Sequence, residues 1–279
     1  MKKLIALILV LTSICSLSSC GEKNPAEAPI SQDEPTEVIV FAAASMEASL
    51  NNIADLYKEK QPGVTLTFNF DSSGTLRDQI KDGAECNLFI SAGQKQMNAL
   101  DIKDTTGKNK DNLDCVVSDS RINLVENKVV LAVPEENTDN VRTFADLAGD
   151  QYDLLCIGNS DVPVGSYSLE ILESLGISVQ ELENKGRVTY ATNVTEVATQ
   201  VKEGIVDCGI IYATDAATHG LVVVDQATEQ MCSRVVYPAA VMKGGSEAAM
   251  KAAEEFLNFL HTDTDAVAIL ENVGFTVLK

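Results

Sequence analysis

Beyond residue 36 the chain alternates two hydrophobic rhythms. Short apolar runs rich in Val, Ile, Leu and Phe predict strands at 37–42, 64–70, 87–91, 127–133, 152–157, 187–190, 207–212, 221–224 and 235–242. Between them, apolar residues three and four apart predict helices at 46–60, 75–81, 166–175, 194–202 and 246–260. Such alternation with short connections predicts an α/β fold of mostly parallel sheets covered by helices. In open sheets of this kind, ligands settle beyond the carboxyl ends of strands, where helices begin. The charged stretch 101–114 reads as a surface loop.

The first 36 residues follow neither rhythm. Lys2 and Lys3 precede an apolar run over 4–14, too short to span a bilayer as a mature helix, so 1–20 reads as an export signal. Leu17-Ser18-Ser19-Cys20-Gly21 resembles the lipobox of bacterial lipoproteins. That resemblance implies a lipid on Cys20, anchoring an exported protein to the outer face of the cell membrane or in the periplasm; an ordinary signal peptide is the alternative. Residues 21–36 carry Pro25, Pro29 and Pro35 among polar residues and read as a flexible tether. The remaining 37–279 is long enough for two domains with their own cores.

Charge narrows the partners. A formal net charge of −20 argues against nucleic acid and anionic lipid headgroups. It also repels an anionic ligand at long range, so an anion site must rely on short-range donors inside a Debye length of about 8 Å. The absence of Trp and the 5% aromatic content speak against a sugar-stacking platform. Cys86, Cys156 and Cys208 lie in or beside apolar strands as small core residues, a Cys115–Cys232 pairing stays open, and no spacing suits zinc. Catalysis finds little support. There is no Gly-x-Ser-x-Gly and no His-Glu-x-x-His, His219 and His261 read as surface residues, and Asp263 with Asp265 reads as a helix cap. An amino-acid receptor needs an arginine fork, and Arg77 reads as lying on a solvated helix face. A purely structural lipoprotein also remains open.

The candidate chemistry lies where strands run into helix starts. Phe41-Ala42-Ala43-Ala44-Ser45 and Phe70-Asp71-Ser72-Ser73-Gly74 each bring small and hydroxyl residues to such a point. Unpaired backbone N–H groups and the helix dipole suit an anion there without a charged side chain. Asp161-Val162-Pro163-Val164-Gly165-Ser166-Tyr167, Asn193-Val194-Thr195-Glu196 and Gly209-Ile210-Ile211-Tyr212-Ala213-Thr214-Asp215-Ala216 share the character. Singly, each is satisfied by plain capping or packing.

In this order, together with Asn87-Leu88-Phe89-Ile90-Ser91-Ala92 and Gly274-Phe275-Thr276, these segments resemble the molybdate-binding lipoproteins that serve ABC transporters for molybdate and tungstate. The resemblance implies a periplasmic-binding-protein type II fold with two α/β lobes. Lobe I comprises 37–125 plus 235–279 and lobe II 126–234, and the hinge crosses near Glu126 and near Arg234. It implies a monomeric receptor, not an enzyme and without a cofactor, that delivers its oxyanion to a permease. The implied donors are the hydroxyls of Ser45, Ser73 and Tyr212 and the backbone N–H groups of Val164 and Val194, with no direct bond to the metal. Thr195 stands where the family often has arginine, and Val164 where alanine is common. Sulfate or phosphate is the alternative ligand, with Asp71 as the acceptor that a proton-bearing phosphate needs.

Overall fold

A computed structural model describes residues 35–135 and 140–279. The expected signal, Cys20 and nearly all of the tether lie outside these residues; the first strand already begins at Thr36. In chain order the elements are β1 (Thr36–Ala43), α1 (Glu47–Lys60), β2 (Val64–Asp71), α2 (Ser73–Lys81), β3 (Leu88–Ile90), α3 (Gln94–Asn98), β4 (Ile122–Asn127), β5 (Val129–Val133) and β6 (Leu155–Gly158). Then come α4 (Pro163–Ser174), α5 (Val179–Asn184), β7 (Val188–Ala191), α6 (Val194–Lys202), β8 (Cys208–Tyr212), α7 (Ala213–His219), β9 (Val222–Gln226), β10 (Val235–Val241), α8 (Glu247–Thr262), α9 (Thr264–Asn272) and β11 (Thr276–Val277).

Two sheets result. The first has the order β11-β4-β10-β3-β1-β2 and the second β7-β6-β8-β5-β9. The expectation of mostly parallel pairing needs correction. β1 pairs in parallel with β2 and β3, and β6 with β7 and β8, but β10 runs antiparallel to β3 and β4, and β5 antiparallel to β8 and β9. The reversed strands are those by which the chain enters a sheet from the other one. It leaves the first sheet at Lys128, between β4 and β5, and returns between Gln226 and Val235. Arriving from the far side, such a strand points against its neighbours. Glu126, beside the first crossing, is bonded to Arg234 beside the second and to Lys128 at 3.0 Å, and these cations hold its carboxyl below the usual range.

Packing follows the apolar pattern. β5, Val-Val-Leu-Ala-Val, is buried along its whole length, as a strand covered on both faces must be. α1 and α8 meet through Tyr57, whose ring lies 4.9 Å from both Phe256 and Phe259. A row of edge-to-face aromatics, Tyr167–Tyr212–Tyr237–Phe275, runs from α4 through β8 to β10, with centroids 6.5, 5.9 and 5.4 Å apart. All five cysteines in the described residues are free, so Cys115 and Cys232 do not pair. Asp263 caps α9 through the N–H groups of Asp265 and Ala266, as read from sequence. His219 and His261 are half-buried rather than superficial, each against a carbonyl oxygen.

Candidate functional site

Three helix starts and two strand ends converge on one small cavity, lined by Ala43, Ala44, Ser45, Asp71, Ser72, Ser73, Ala92, Val162, Pro163, Val164, Val194 and Tyr212. All five residues singled out in the sequence are there. None of the lining residues is a lysine, arginine or histidine, and Asp71 is the one carboxylate.

Hydrogen-bond accounting at each helix start shows what is left to offer. In α2 the Ser72 hydroxyl accepts from Thr75 N–H at 3.1 Å and the Ser72 carbonyl from Leu76 N–H at 3.0 Å, which leaves the N–H groups of Ser73 and Gly74 ahead of the first helical acceptor. Ser72 is therefore the cap. Ser73 is fully buried, and its oxygen accepts from Ala92 N–H at 2.9 Å. A hydroxyl that accepts from behind in this way has its hydrogen free to donate toward the cavity.

α4 starts three residues earlier than its apolar spacing suggested, at Pro163. Pro163 has no N–H, and the Val162 carbonyl accepts from Gly165 at 2.9 Å and Ser166 at 3.2 Å, so the first-turn donor that remains is Val164 N–H. Gly165 is required here: a Cβ would stand 2.2 Å from the Asn159 carbonyl oxygen. In α6, Asn193 caps through its side chain to Glu196 N–H at 2.8 Å and its carbonyl accepts from Val197, leaving Val194 and Thr195 N–H at the helix start.

Tyr212 closes β8 just before α7. It is 1% exposed, and its hydroxyl is one of two buried side-chain polar atoms among the described residues without a hydrogen-bond partner. The neighbouring Tyr237 hydroxyl opposes its ionisation by charge and as a weak hydrogen-bonding neighbour, although the pair falls outside strict hydrogen-bond geometry. Burial, then the neighbouring Tyr237, Tyr167 and Asp215, push its pKa well above the ordinary value, so the group is a fixed O–H donor. An orphaned buried hydroxyl costs about 1–3 kcal/mol, and aimed into a cavity it awaits an acceptor.

Ser45, after β1, is held from behind by the Tyr237 hydroxyl at 2.9 Å. Tyr237 also meets Asn127 at 3.1 Å. Neither Tyr237 nor Asn127 was singled out from sequence. Both lie in or at the end of apolar strands with no helix start to mark them, and a tyrosine followed by proline in β10 was the one available hint. There the pairing with β4 shifts register between Tyr237 and Pro238.

The whole body, residues 38–276, matches the family described as bacterial extracellular solute-binding proteins. The chain belongs to that family. It is 30% identical over 277 residues to YvgL of Bacillus subtilis (strain 168), a provisionally named ABC transporter substrate-binding lipoprotein, covering 99% of this chain and 98% of that one. It is 32% identical to the molybdate-binding protein ModA of Escherichia coli (strain K12), covering 86% and 89%. The periplasmic molybdate-binding protein of Azotobacter vinelandii superposes with a TM-score of 0.72 over 87% of this chain and all of the other, at 23% identity, and shares the type II binding-protein fold.

Proposed function

We propose that this solute-binding protein captures molybdate or tungstate and delivers it to an ABC permease. The observation that carries the reading is a cavity with neutral donors from both sheets and no cation. Ser45 and Ser73 hydroxyls come from the side of the first sheet, and Val164 N–H, Val194 N–H and the Tyr212 hydroxyl from the side of the second. A tetrahedral dianion near neutral pH is acceptor-only, and burying it without donors is prohibitive. Hydrogen bonds to a charged partner contribute about 1.5–3 kcal/mol each, so five donors support binding from about the micromolar range to far tighter.

Capture then proceeds as a hinge closure, with 37–125 plus 235–279 as one lobe and 126–234 as the other. The dianion completes the donor set only when both lobes meet around it. A lipid on Cys20 and the tether 21–36 would keep a monomeric receptor beside its membrane partner, in keeping with the lipoprotein name of the Bacillus relative. Calorimetric competition among molybdate, tungstate, sulfate and phosphate tests the assignment. Sulfate binding as tightly as molybdate would overturn it.

One observation favours a second ligand. Asp71 lines the cavity and is an acceptor for the proton of hydrogen phosphate. Against this, its Oδ1 already accepts from Ser72 N–H at 2.6 Å, the role of a turn residue. Phosphate outcompeting molybdate in the same titration would establish that alternative.

A further inference from the structure

Behind the cavity a hydrogen-bonded row leads from Ser45 to the crossing between the sheets. Ser45 Oγ meets Tyr237 Oη at 2.9 Å, Tyr237 Oη meets Asn127 Nδ2 at 3.1 Å, and Asn127 Nδ2 meets Thr214 Oγ1 at 2.9 Å. Thr214 Oγ1 lies 3.4 Å from Asp215 Oδ2. Tyr237, Asn127, Thr214 and Asp215 are all buried.

The direction of the bonds made by Asn127 can be fixed from one end. Lys128 N–H, a backbone group that only donates, points at Asn127 Oδ1 at 2.8 Å. The Asn127 amide is thereby oriented, and its NH2 group must be the side that faces Tyr237 and Thr214. Both hydroxyl oxygens therefore accept from Asn127. The Tyr237 hydroxyl has a single hydrogen; one lone pair of its oxygen takes the amide, and Ser45 Oγ at 2.9 Å is the neighbour in hydrogen-bonding geometry that can receive that hydrogen. In the arrangement proposed below it donates to Ser45. The Ser45 oxygen is then filled from behind, and the hydrogen of Ser45 is left for the cavity, the same state that Ala92 N–H imposes on Ser73.

From this geometry we infer that Tyr237, oriented by Asn127, is a positioning residue that locks Ser45 as a donor and so biases the pocket against anions that carry a proton. The inference rests on the oxyanion reading above. Without Tyr237 Oη the serine rotates freely and offers either a hydrogen or a lone pair. A lone pair repels molybdate but accepts the proton of hydrogen phosphate. Loss of the lock thus weakens the two anions unequally, whereas a damaged fold weakens both alike.

The test is calorimetry near neutral pH with molybdate and with inorganic phosphate on four full-length proteins: unmodified, Tyr237→Phe, Ser45→Ala and the double variant. Tyr237→Phe keeps the ring contacts with Tyr212 and Phe275 and removes one oxygen. Molybdate affinity is expected to fall about tenfold and phosphate affinity less than about threefold. In the Ser45→Ala background the Tyr237→Phe change is expected to add nothing. Should Tyr237→Phe fail to fold, Asn127→Ala releases the same hydroxyl and must shift the ratio the same way. Multiplying losses in the double variant, or equal losses for both anions, overturn the inference and leave the oxyanion assignment standing. An unmodified protein that binds neither anion overturns both.

Discussion

Gly74→Ala offers the sharpest test of how the two halves of the site meet. Gly74 is the second residue of α2, beside the first sheet, and the backbone it faces belongs to Asp161, one residue before the cap of α4. A Cβ at Gly74 would stand 2.2 Å from the Asp161 carbonyl oxygen, 3.0 Å from its carbonyl carbon and 3.1 Å from its Cβ. Ordinary non-bonded contacts lie near 3.5 Å, so the two backbones must separate by about 1 Å. Hydrogen bonds of about 2.9 Å do not survive such a stretch. The donor carried most directly is Val164 N–H, three residues beyond Asp161. Losing one or two charge-assisted bonds costs about 2–4 kcal/mol, or roughly 30- to 1,000-fold in affinity. The fold without ligand should hardly notice, because Gly74 is helical with ordinary φ, and alanine there is neutral to mildly stabilising. Calorimetry with molybdate reads the first effect and a thermal melt without ligand reads the second. Binding within threefold of the unmodified protein would show that the exposed Asp161 turn yields by itself, and that the donors do not converge at this spacing.

Three further outcomes are expected. Tyr212→Phe should weaken molybdate binding by about 1–3 kcal/mol in a titration, yet leave the ligand-free melting temperature unchanged or higher, since it removes an orphaned buried hydroxyl; lowered stability with unchanged affinity would contradict it. Thr195→Ala should alter affinity little, because the α6 contribution is a backbone N–H; a large loss in the same titration would relocate the contact to the side chain. Asp215 is buried, and burial raises its carboxyl from 3.8 to about 7. A proton held more tightly in the folded chain means that its contribution to stability is present below the unfolded value and is lost as pH rises toward 7. Relative to Asp215→Asn, the unmodified protein should lose about 1.4 kcal/mol per pH unit between roughly pH 4 and 7, and nothing more above; denaturant melts that stay parallel across that range would refute this.

What the sequence disclosed was whatever is decided locally. Ser73, Val164 and Val194 each stand at a helix start marked by its own cap, proline or small residues, and those signals lie within a few positions of the donor. The partners that fix donor direction are distant: Tyr237 lies 192 residues from Ser45, and Asn127 lies 110 from Tyr237. No spacing rule reaches that far. The strand expected at 127–133 corresponds to β5, but β4 has no clear apolar signal, because Asn123, Glu126, Asn127 and Lys128 interrupt the pattern where the chain changes sheet. Strand direction escaped for a related reason, since a strand reached from another sheet reads in sequence like any other. Ser72 and Ser73 are alike as letters; the bonds to Thr75 and to Ala92 tell the cap from the donor.

The lack of a cation in the cavity lining has a consequence for selectivity. A lysine in the pocket would attract any anion, including monovalent ones, and would have to be desolvated with or without a ligand. Directed dipoles instead count acceptors. On the proposed assignment, with Ser45, Ser73 and Tyr212 held as donors, an anion bearing a proton forfeits at least one bond, while every fully deprotonated tetrahedral dianion satisfies the same set. Donor chemistry is therefore blind between molybdate and the smaller sulfate. What remains to separate them is distance: how closely the α2 and α4 helix starts approach, which the missing side chain at Gly74 governs. On this argument Gly74→Ala should reduce affinity for sulfate more steeply than for molybdate, because a pocket widened by about 1 Å is strained least by the larger ion. Equal losses for the two anions would place the discrimination elsewhere.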